Sequence, residues 1–254
     1  MTDLSQNVIF ITGATAGIGR ACAEQFDRAG AKLVLAARRL ELLQELAESL
    51  AGEPHLVQLD VRDRNQVEQA VTALPEEFAA IDVLVNNAGL GRGLDKLHEG
   101  NVDGWEEMID TNIKGLLFVS RAILPGMVDR GRGQVINIGS IAGHEVYPGG
   151  NVYCATKHAV DALTKGMRID LVDTPIRVAT IDPGLVETDF SRVRFYGDEN
   201  RASKVYKGYK PLTGTDIAEA AVWIAARPPH VQIAEMIVFP TAQASAAITH
   251  KTNK

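Results

Sequence analysis

Seven short apolar runs, rich in β-branched residues, recur along the chain: NVIFIT (7–12), KLVLAA (32–37), HLVQLD (55–60), DVLVNN (82–87), QVINIG (134–139), RVATID (177–182) and MIVF (236–239). Runs this short and this continuously apolar suit strands buried on both faces, as in a parallel sheet. Between them lie segments of helical period. RLELLQELAESL lines up Leu40, Leu43, Leu46 and Leu50, and DRNQVEQAVTAL opens on Asp63, a side chain suited to cap a helix N-terminus. No repeat, low-complexity stretch or linker divides the chain. The reading is one α/β domain over residues 1–254, a Rossmann-type, doubly wound sheet of seven parallel strands.

Composition removes several classes of function. The net charge is −6, where a nucleic-acid or anionic-membrane surface would favour an excess of Lys and Arg. Cys22 and Cys154 are the only cysteines, too few for a disulfide framework. The opening MTDLSQNVIFITGA has no basic region before its apolar run, and no stretch reaches the length of a membrane span. These features predict a cytoplasmic protein. The six histidines show no ligand spacing, so no metal is expected. GSIAG differs from the G-x-S-x-G elbow of hydrolases.

After the first run comes ITGATAGIGR, with Gly13, Gly17 and Gly19 around Ala14, Thr15, Ala16 and Ile18. The spacing is G-x-x-x-G-x-G rather than the common G-x-G-x-x-G. A strand followed by glycines and then a helix still offers a tight turn and free N–H groups to a pyrophosphate. The second strand indicates which dinucleotide. An acid about 20 positions on would bind a ribose 2′-hydroxyl. Eighteen positions after Gly19 stands Ala37 instead, followed by Arg38 and Arg39. Guanidiniums favour a 2′-phosphate, each charge-assisted bond contributing roughly 1.5–3 kcal/mol. NADP(H) is therefore expected over NAD(H).

In NVYCATKHAV, Tyr153 and Lys157 stand four apart and share one helix face. That spacing alone fits surface packing as well as proton transfer. Several motifs, in order along the chain, resemble the short-chain dehydrogenase/reductase family: Thr12-Gly13 with Gly17 and Gly19; Asp60-Val61; NNAG (86–89); DTNIKG with Asn112; IGS with Ser140; YCATK; and DPGLVET (182–188). Ser140 and Tyr153 lie 13 residues apart, as is usual in that family.

The resemblance implies a catalytic set of Asn112, Ser140, Tyr153 and Lys157. It implies cofactor contacts from the glycine loop, Asp60 and Val61, from Asn87, Ala88 and Gly89, from Tyr153 and Lys157, and from Pro183, Gly184, Leu185, Val186 and Thr188. A free phenol ionises near ~10. Lys157 and an oxidised nicotinamide would therefore have to stabilise the phenolate for Tyr153 to act as base in alcohol oxidation and acid in the reverse. Ser140 would bind the substrate oxygen, and Asn112 a water that extends the proton path. Cys154 reads as a small helix residue.

DTNIKGLLFVSRAILPGMV, GGNVYCATK, VRFYGD and PPHVQIAEMIVFP further resemble the NADP-dependent 3-hydroxy acid dehydrogenases. This implies substrates such as L-allo-threonine, L-serine or small 3-oxo acids. A carboxylate needs a cation, and Arg92, Arg192 and Arg194 are the candidates, with Arg194 preferred. Arg194 lies in residues 189–213, an aperiodic polar segment expected to form a substrate lid. A broad carbonyl or 3-oxoacyl reductase and a redox sensor without turnover are the rival readings. The family is usually tetrameric, with helices here expected near 104–131 and 151–173 pairing between subunits. Ile113, Leu117 and Val160 suit either that interface or the core. The tail TAQASAAITHKTNK suits either a neighbouring subunit or a frayed end.

Overall fold

The computed structural model describes residues 3–252. All seven anticipated strands form: β1 (Val8–Thr12), β2 (Lys32–Ala37), β3 (His55–Gln58), β4 (Ile81–Asn86), β5 (Gln134–Ile138), β6 (Arg177–Pro183) and β7 (Glu235–Val238). They build one parallel sheet in the order β3-β2-β1-β4-β5-β6-β7. The chain grows outward from β1 to β3, then returns and grows the other way from β4. β1 and β4 meet at that reversal, with Phe10 opposite Leu84 and Ile11 opposite Val85. In sheets of this kind ligands bind beyond the carboxyl ends of the strands at the reversal.

The apolar runs have the composition they do because both of their faces are covered. β1, β4 and β5 are buried along their whole length. On one face Ile9, Ile11, Leu35 and Val85 pack with α1 (Gly17–Arg28), α2 (Leu40–Ala47) and a late helix, α10 (Gly214–Ala225), through Phe26, Leu43, Leu46 and Ile224. On the other, Phe10, Val34, Leu84 and Val135 pack with α3 (Arg64–Thr72), the short α4 (Glu76–Ala79) and α6 (Leu116–Arg130) through Val67, Phe78, Ile123 and Met127. Asp63 caps α3 as its position predicts, accepting from Asn65 N at 2.9 Å and Gln66 N at 3.1 Å. Leu50 of the leucine row lies beyond the end of α2 but still packs on the same core.

The helix expected near 104–131 is interrupted. α5 (Val102–Ile109) runs into a π turn over Asp110–Gly115 before α6 begins. Gly115 explains the close approach there, since a Cβ on it would lie 2.7 Å from Val61 Cγ2. The expected helix near 151–173 is α7 (Asn151–Asp170). Val160 belongs to the core at 2% exposure, whereas Leu117 is exposed. The aperiodic segment holds two short helices, α8 (Phe190–Arg194) and α9 (Glu199–Val205). Neither is long enough to show a period in the sequence. No helix among the described residues is long and apolar enough to cross a membrane.

A buried polar seam ties β4 and β5 to the helices. Asn86 Nδ2 donates to Ser120 Oγ and Asn137 Oδ1, each at 2.9 Å, and Asn137 Nδ2 donates to Thr164 Oγ1 at 2.8 Å. Replacing Asn137 with Leu takes one hydrogen bond each from buried Asn86 and Thr164. The expected cost in urea unfolding is about 2–4 kcal/mol. A loss below about 1 kcal/mol would mean that the seam is not structural.

Candidate active site

The site opens where the sheet reverses. Thr12, the last residue of β1, accepts at Oγ1 from the N–H groups of Asn87 and Ala88, each at 3.0 Å. Asn87 Nδ2 returns the bond to the carbonyls of Thr12 (2.9 Å) and Gly13 (3.1 Å). The glycine loop is thereby fastened to the chain leaving β4. Gly13 and Gly17 have positive φ, +66° and +53°. A Cβ on Gly19 would sit 2.3 Å from the Gly13 carbonyl oxygen. Ala16 precedes α1 and supplies no side-chain cap. The first N–H groups of α1 thus have no side-chain acceptor, and an anion is the natural partner for them. Glycines, an uncapped helix and a cleft of about 420 Å³ fit a dinucleotide.

The cleft is lined by most of the residues singled out from the sequence: Gly13, Ala16, Gly17, Ile18, Asn87, Ala88, Gly89, Ser140, Tyr153, Lys157, Pro183 through Val186, Thr188 and Arg194. Ala14, Thr15 and Gly19 belong to the loop but do not line the cleft, and Ala14 is fully buried. Arg38 and Arg39 are exposed at the end of β2. Asp60 is held by Arg62 at 2.6 Å, which keeps its carboxyl below the usual range. Val61 faces the π turn.

The π turn carries Asn112, buried at 3% exposure. Its Oδ1 accepts from Leu90 N at 2.9 Å, and its Nδ2 donates to Leu90 O (2.9 Å) and Thr156 Oγ1 (3.0 Å). Asn112 therefore stitches the π turn to the strand exit and to α7. Thr156 sits on α7 between Tyr153 and Lys157.

α7 presents Tyr153 and Lys157 on one buried face, as the spacing predicts. Lys157 Nζ donates to the carbonyl of Ile138 at 2.9 Å and stands 6.0 Å from the Tyr153 ring centre. Burial lowers its ammonium to about 8, with Asp182 pulling the other way. Tyr153 is shifted upward, mainly by burial and also by Tyr147, while Arg194 and the Ser140 hydroxyl oppose the shift. Two cations stand over the phenol ring, Arg194 at 4.6 Å and Lys157 at 6.0 Å from its centre. Ser140 Oγ accepts from Ala142 N at 3.1 Å and lies 3.5 Å from the Pro183 carbonyl. Burial thus favours the phenol over the phenolate.

Arg194, on α8, is the candidate cation that faces the cleft. Its guanidinium carbon lies 4.6 Å from the Tyr153 ring centre, 5.0 Å from Phe190 and 5.8 Å from Tyr147. One Nη donates to Tyr147 Oη at 2.8 Å, and Nε is buried with no partner. Gly91 makes room, since a Cβ there would lie 2.9 Å from Nε. The other two arginines have different positions. Arg92 pairs with Glu107 at 2.6 Å and donates to the Val193 carbonyl, holding α8 from below. Arg192 is half-exposed and pairs with Asp189 at 3.1 Å.

Three contributors escaped the sequence reading. Gln243, 6% exposed in the tail, accepts from Leu185 N at 2.8 Å and so fixes the segment after β6. Ala246 N donates to Glu145 at 2.8 Å, folding the tail back over its own chain. Asp182 accepts from Ser140 N at 3.1 Å. None carries a local signal, because each acts across more than 40 residues of sequence. Asn253 and Lys254, at the end of the tail, lie outside the described residues.

A dinucleotide crevice at a sheet reversal, with a Ser, a Tyr and a Lys converging on it, defines a hydride-transfer site. The family described as short chain dehydrogenase matches residues 7–197, and the chain belongs to that family. The chain is 46% identical over 242 residues to the NADP-dependent 3-hydroxy acid dehydrogenase of Escherichia coli (strain K12), covering 95% of this chain and 98% of that one. It is 46% identical over 250 residues to the sulfoacetaldehyde reductase of Chromohalobacter salexigens, covering 97% of each. Among solved structures, the closed form of serine dehydrogenase complexed with NADP+ superposes with a TM-score of 0.93 at 45% identity, covering 97% of this chain and 100% of that one.

The crowding at Gly19 makes a direct prediction. Gly19→Ala must push the Gly13 carbonyl or Asn87 aside, so urea unfolding should show a loss of about 1–3 kcal/mol. An unchanged midpoint would show that the loop is looser than its packing implies.

Proposed function

We propose that the chain is an NADP(H)-dependent enzyme that oxidises the 3-hydroxyl of small 3-hydroxy acids, L-allo-threonine and L-serine among them, and reduces the matching 3-oxo acids or semialdehydes. The observation that carries this reading is Arg194, a guanidinium beside Tyr153 whose buried Nε has no partner in the protein. A carboxylate satisfies such a group with paired, charge-assisted bonds. The names of the relatives agree in chemistry: 3-hydroxy acids, serine and sulfoacetaldehyde all carry an anionic group close to the reacting carbon.

The residues divide the work. The loop from Gly13 to Gly19, with Ala14, Thr15, Ala16, Gly17 and Ile18 between, takes the pyrophosphate. Arg38 and Arg39 take the 2′-phosphate. Asp60 and Val61 border the adenine. Asn87, Ala88 and Gly89, Pro183 through Val186, and Thr188 line the nicotinamide half. When bound, the cofactor accepts or gives the hydride. Tyr153 takes the hydroxyl proton in oxidation and returns it in reduction. Ser140 donates to the substrate oxygen as charge develops on it. Lys157 holds the nicotinamide ribose and supplies positive charge. Asn112 Oδ1 keeps a second lone pair for the water that extends the proton path.

Residues 189–213 act as the lid, because Arg194 rides on α8 and Tyr206 Oη joins Ser191 (2.8 Å) to the Val186 carbonyl (2.9 Å). The enzyme works in the cytoplasm as a homotetramer. Exposed Leu117 and Val128 on α6, and Ile169 and Val172 beside and on α7, offer apolar surface for subunit contact.

Turnover of L-allo-threonine or L-serine with NADP+, and little with NAD+, is the expected result in a spectrophotometric assay. Arg38→Ser should lower kcat/KM for NADP+ by about 10- to 100-fold and leave NAD+ nearly unchanged. Equal turnover on both cofactors would sink the arginine argument. Reduction of bulky neutral ketones, with silence on both amino acids, would favour a broad carbonyl reductase.

The pH dependence follows from the upward shift of Tyr153. Oxidation needs the phenolate, so its kcat/KM should climb from neutral to alkaline pH. Reduction needs the phenol and should stay level over the same range. The opposite pattern would remove Tyr153 from the proton-transfer role.

A further inference from the structure

One ionisable cluster, His144, Asp182 and Glu235, is buried at Asp182 alone and is given no role in that proton transfer. Asp182, near the carboxyl end of β6, is 1% exposed. Its Oδ1 accepts from Ser140 N at 3.1 Å and Thr180 Oγ1 at 3.0 Å. The carboxylate presses on the chain there so closely that a Cβ on Gly139 would overlap Oδ1. The basic side chain at Oδ2 is His144, whose Nε2 lies 3.2 Å away. The other ring nitrogen, Nδ1, lies 3.6 Å from Glu235 Oε1 on β7.

His144 comes directly after the 3-10 turn Ile141–Gly143, which Ser140 caps. The ring therefore stands between carboxylates on two neighbouring strands and on the turn that carries Ser140. The lysines facing the cluster are Lys157, whose ammonium Asp182 favours, and Lys165, whose ammonium Glu235 favours. A metal ion would draw both carboxylates to one ring nitrogen. Here each nitrogen faces its own carboxylate, so the ring bridges the two strands.

We propose that His144 is a positioning residue for Ser140: its ring is the partner of the Asp182 carboxylate, and that carboxylate anchors the Ser140 N–H and with it the Ser140 hydroxyl. An unpaired charge at this depth would be strongly unfavourable, so without the imidazole the Asp182 carboxylate must turn away from its place. That movement breaks the anchor, whereas a neutral side chain left in place still accepts from the Ser140 N–H. The role Ser140 plays rests on the proposed hydride-transfer reaction.

The test is a double-mutant cycle of His144→Ala and Asp182→Asn, read in steady-state kinetics and in urea unfolding. His144→Ala should lower kcat about tenfold while KM for NADP+ stays within about twofold. Adding Asp182→Asn to it should recover most of the lost kcat, because a neutral amide needs no basic partner and still accepts from the Ser140 N–H. The unfolding midpoint should show coupling of the same sign. A double variant no better than His144→Ala in either readout would overturn the proposal. So would stoichiometric Zn²⁺ binding that His144→Ala abolishes, because it would assign the cluster to a metal. An inactive wild-type chain counts against the reaction itself, whereas the coupling in urea tests the pairing without any turnover.

Discussion

The exchange of hydrogen bonds between Thr12 and Asn87 holds the site together. Thr12 ends β1 and Asn87 directly follows β4, at the place where the sheet changes its direction of growth. At that place two loops diverge and leave a crevice, and these bonds extend the β1–β4 register to the glycine loop and the segment after β4. Lys157, Ser140 and the Pro183 segment lie on the next strands across and on the helix packed beside them. Each depends on the same parallel register, which the buried β-branched runs impose. The chemistry is therefore built on the rigid part of the molecule, with α8 and α9 laid over it.

Burial and charge oppose each other in this crevice. Burial disfavours both an ammonium at Lys157 and a phenolate at Tyr153, and it shifts the two groups toward neutrality. Asp182 offsets the first effect, and Arg194 with Ser140 offsets part of the second. The balance leaves an uncharged phenol beside an amine of lowered basicity, and in the proposed reaction Arg194 receives the anionic group of the substrate. A substrate without an anion would leave the buried Nε unsatisfied, which weighs against it. In the proposed reaction, selectivity and proton transfer come from the same few side chains.

Much of this was legible in the chain. The sheet shows through its seven runs because strands buried on both faces need unbroken apolar residues, and the Tyr153–Lys157 face follows from helical geometry. The glycine loop and the missing acid after β2 are local signals as well. Other features depend on contacts that no local pattern encodes. The π turn at Asn112 arises where the Asn112 amide hooks the Leu90 backbone, 22 residues earlier. The tail is held by Gln243 reaching Leu185, and Ser140 by Asp182 from another strand. The nearer cation over Tyr153 is Arg194, brought in by a five-residue helix too short to show a period.

The central claim is that Tyr153 moves the proton while the rest of the site binds and orients. Tyr153→Phe keeps the ring, its contact with Arg194 and its packing on Phe190, and removes only the hydroxyl. NADPH binding should be retained in a fluorescence titration, while kcat falls by about 10²- to 10⁴-fold in either direction of reaction. A variant that binds NADPH normally and keeps kcat within a fewfold of the parent would contradict the account.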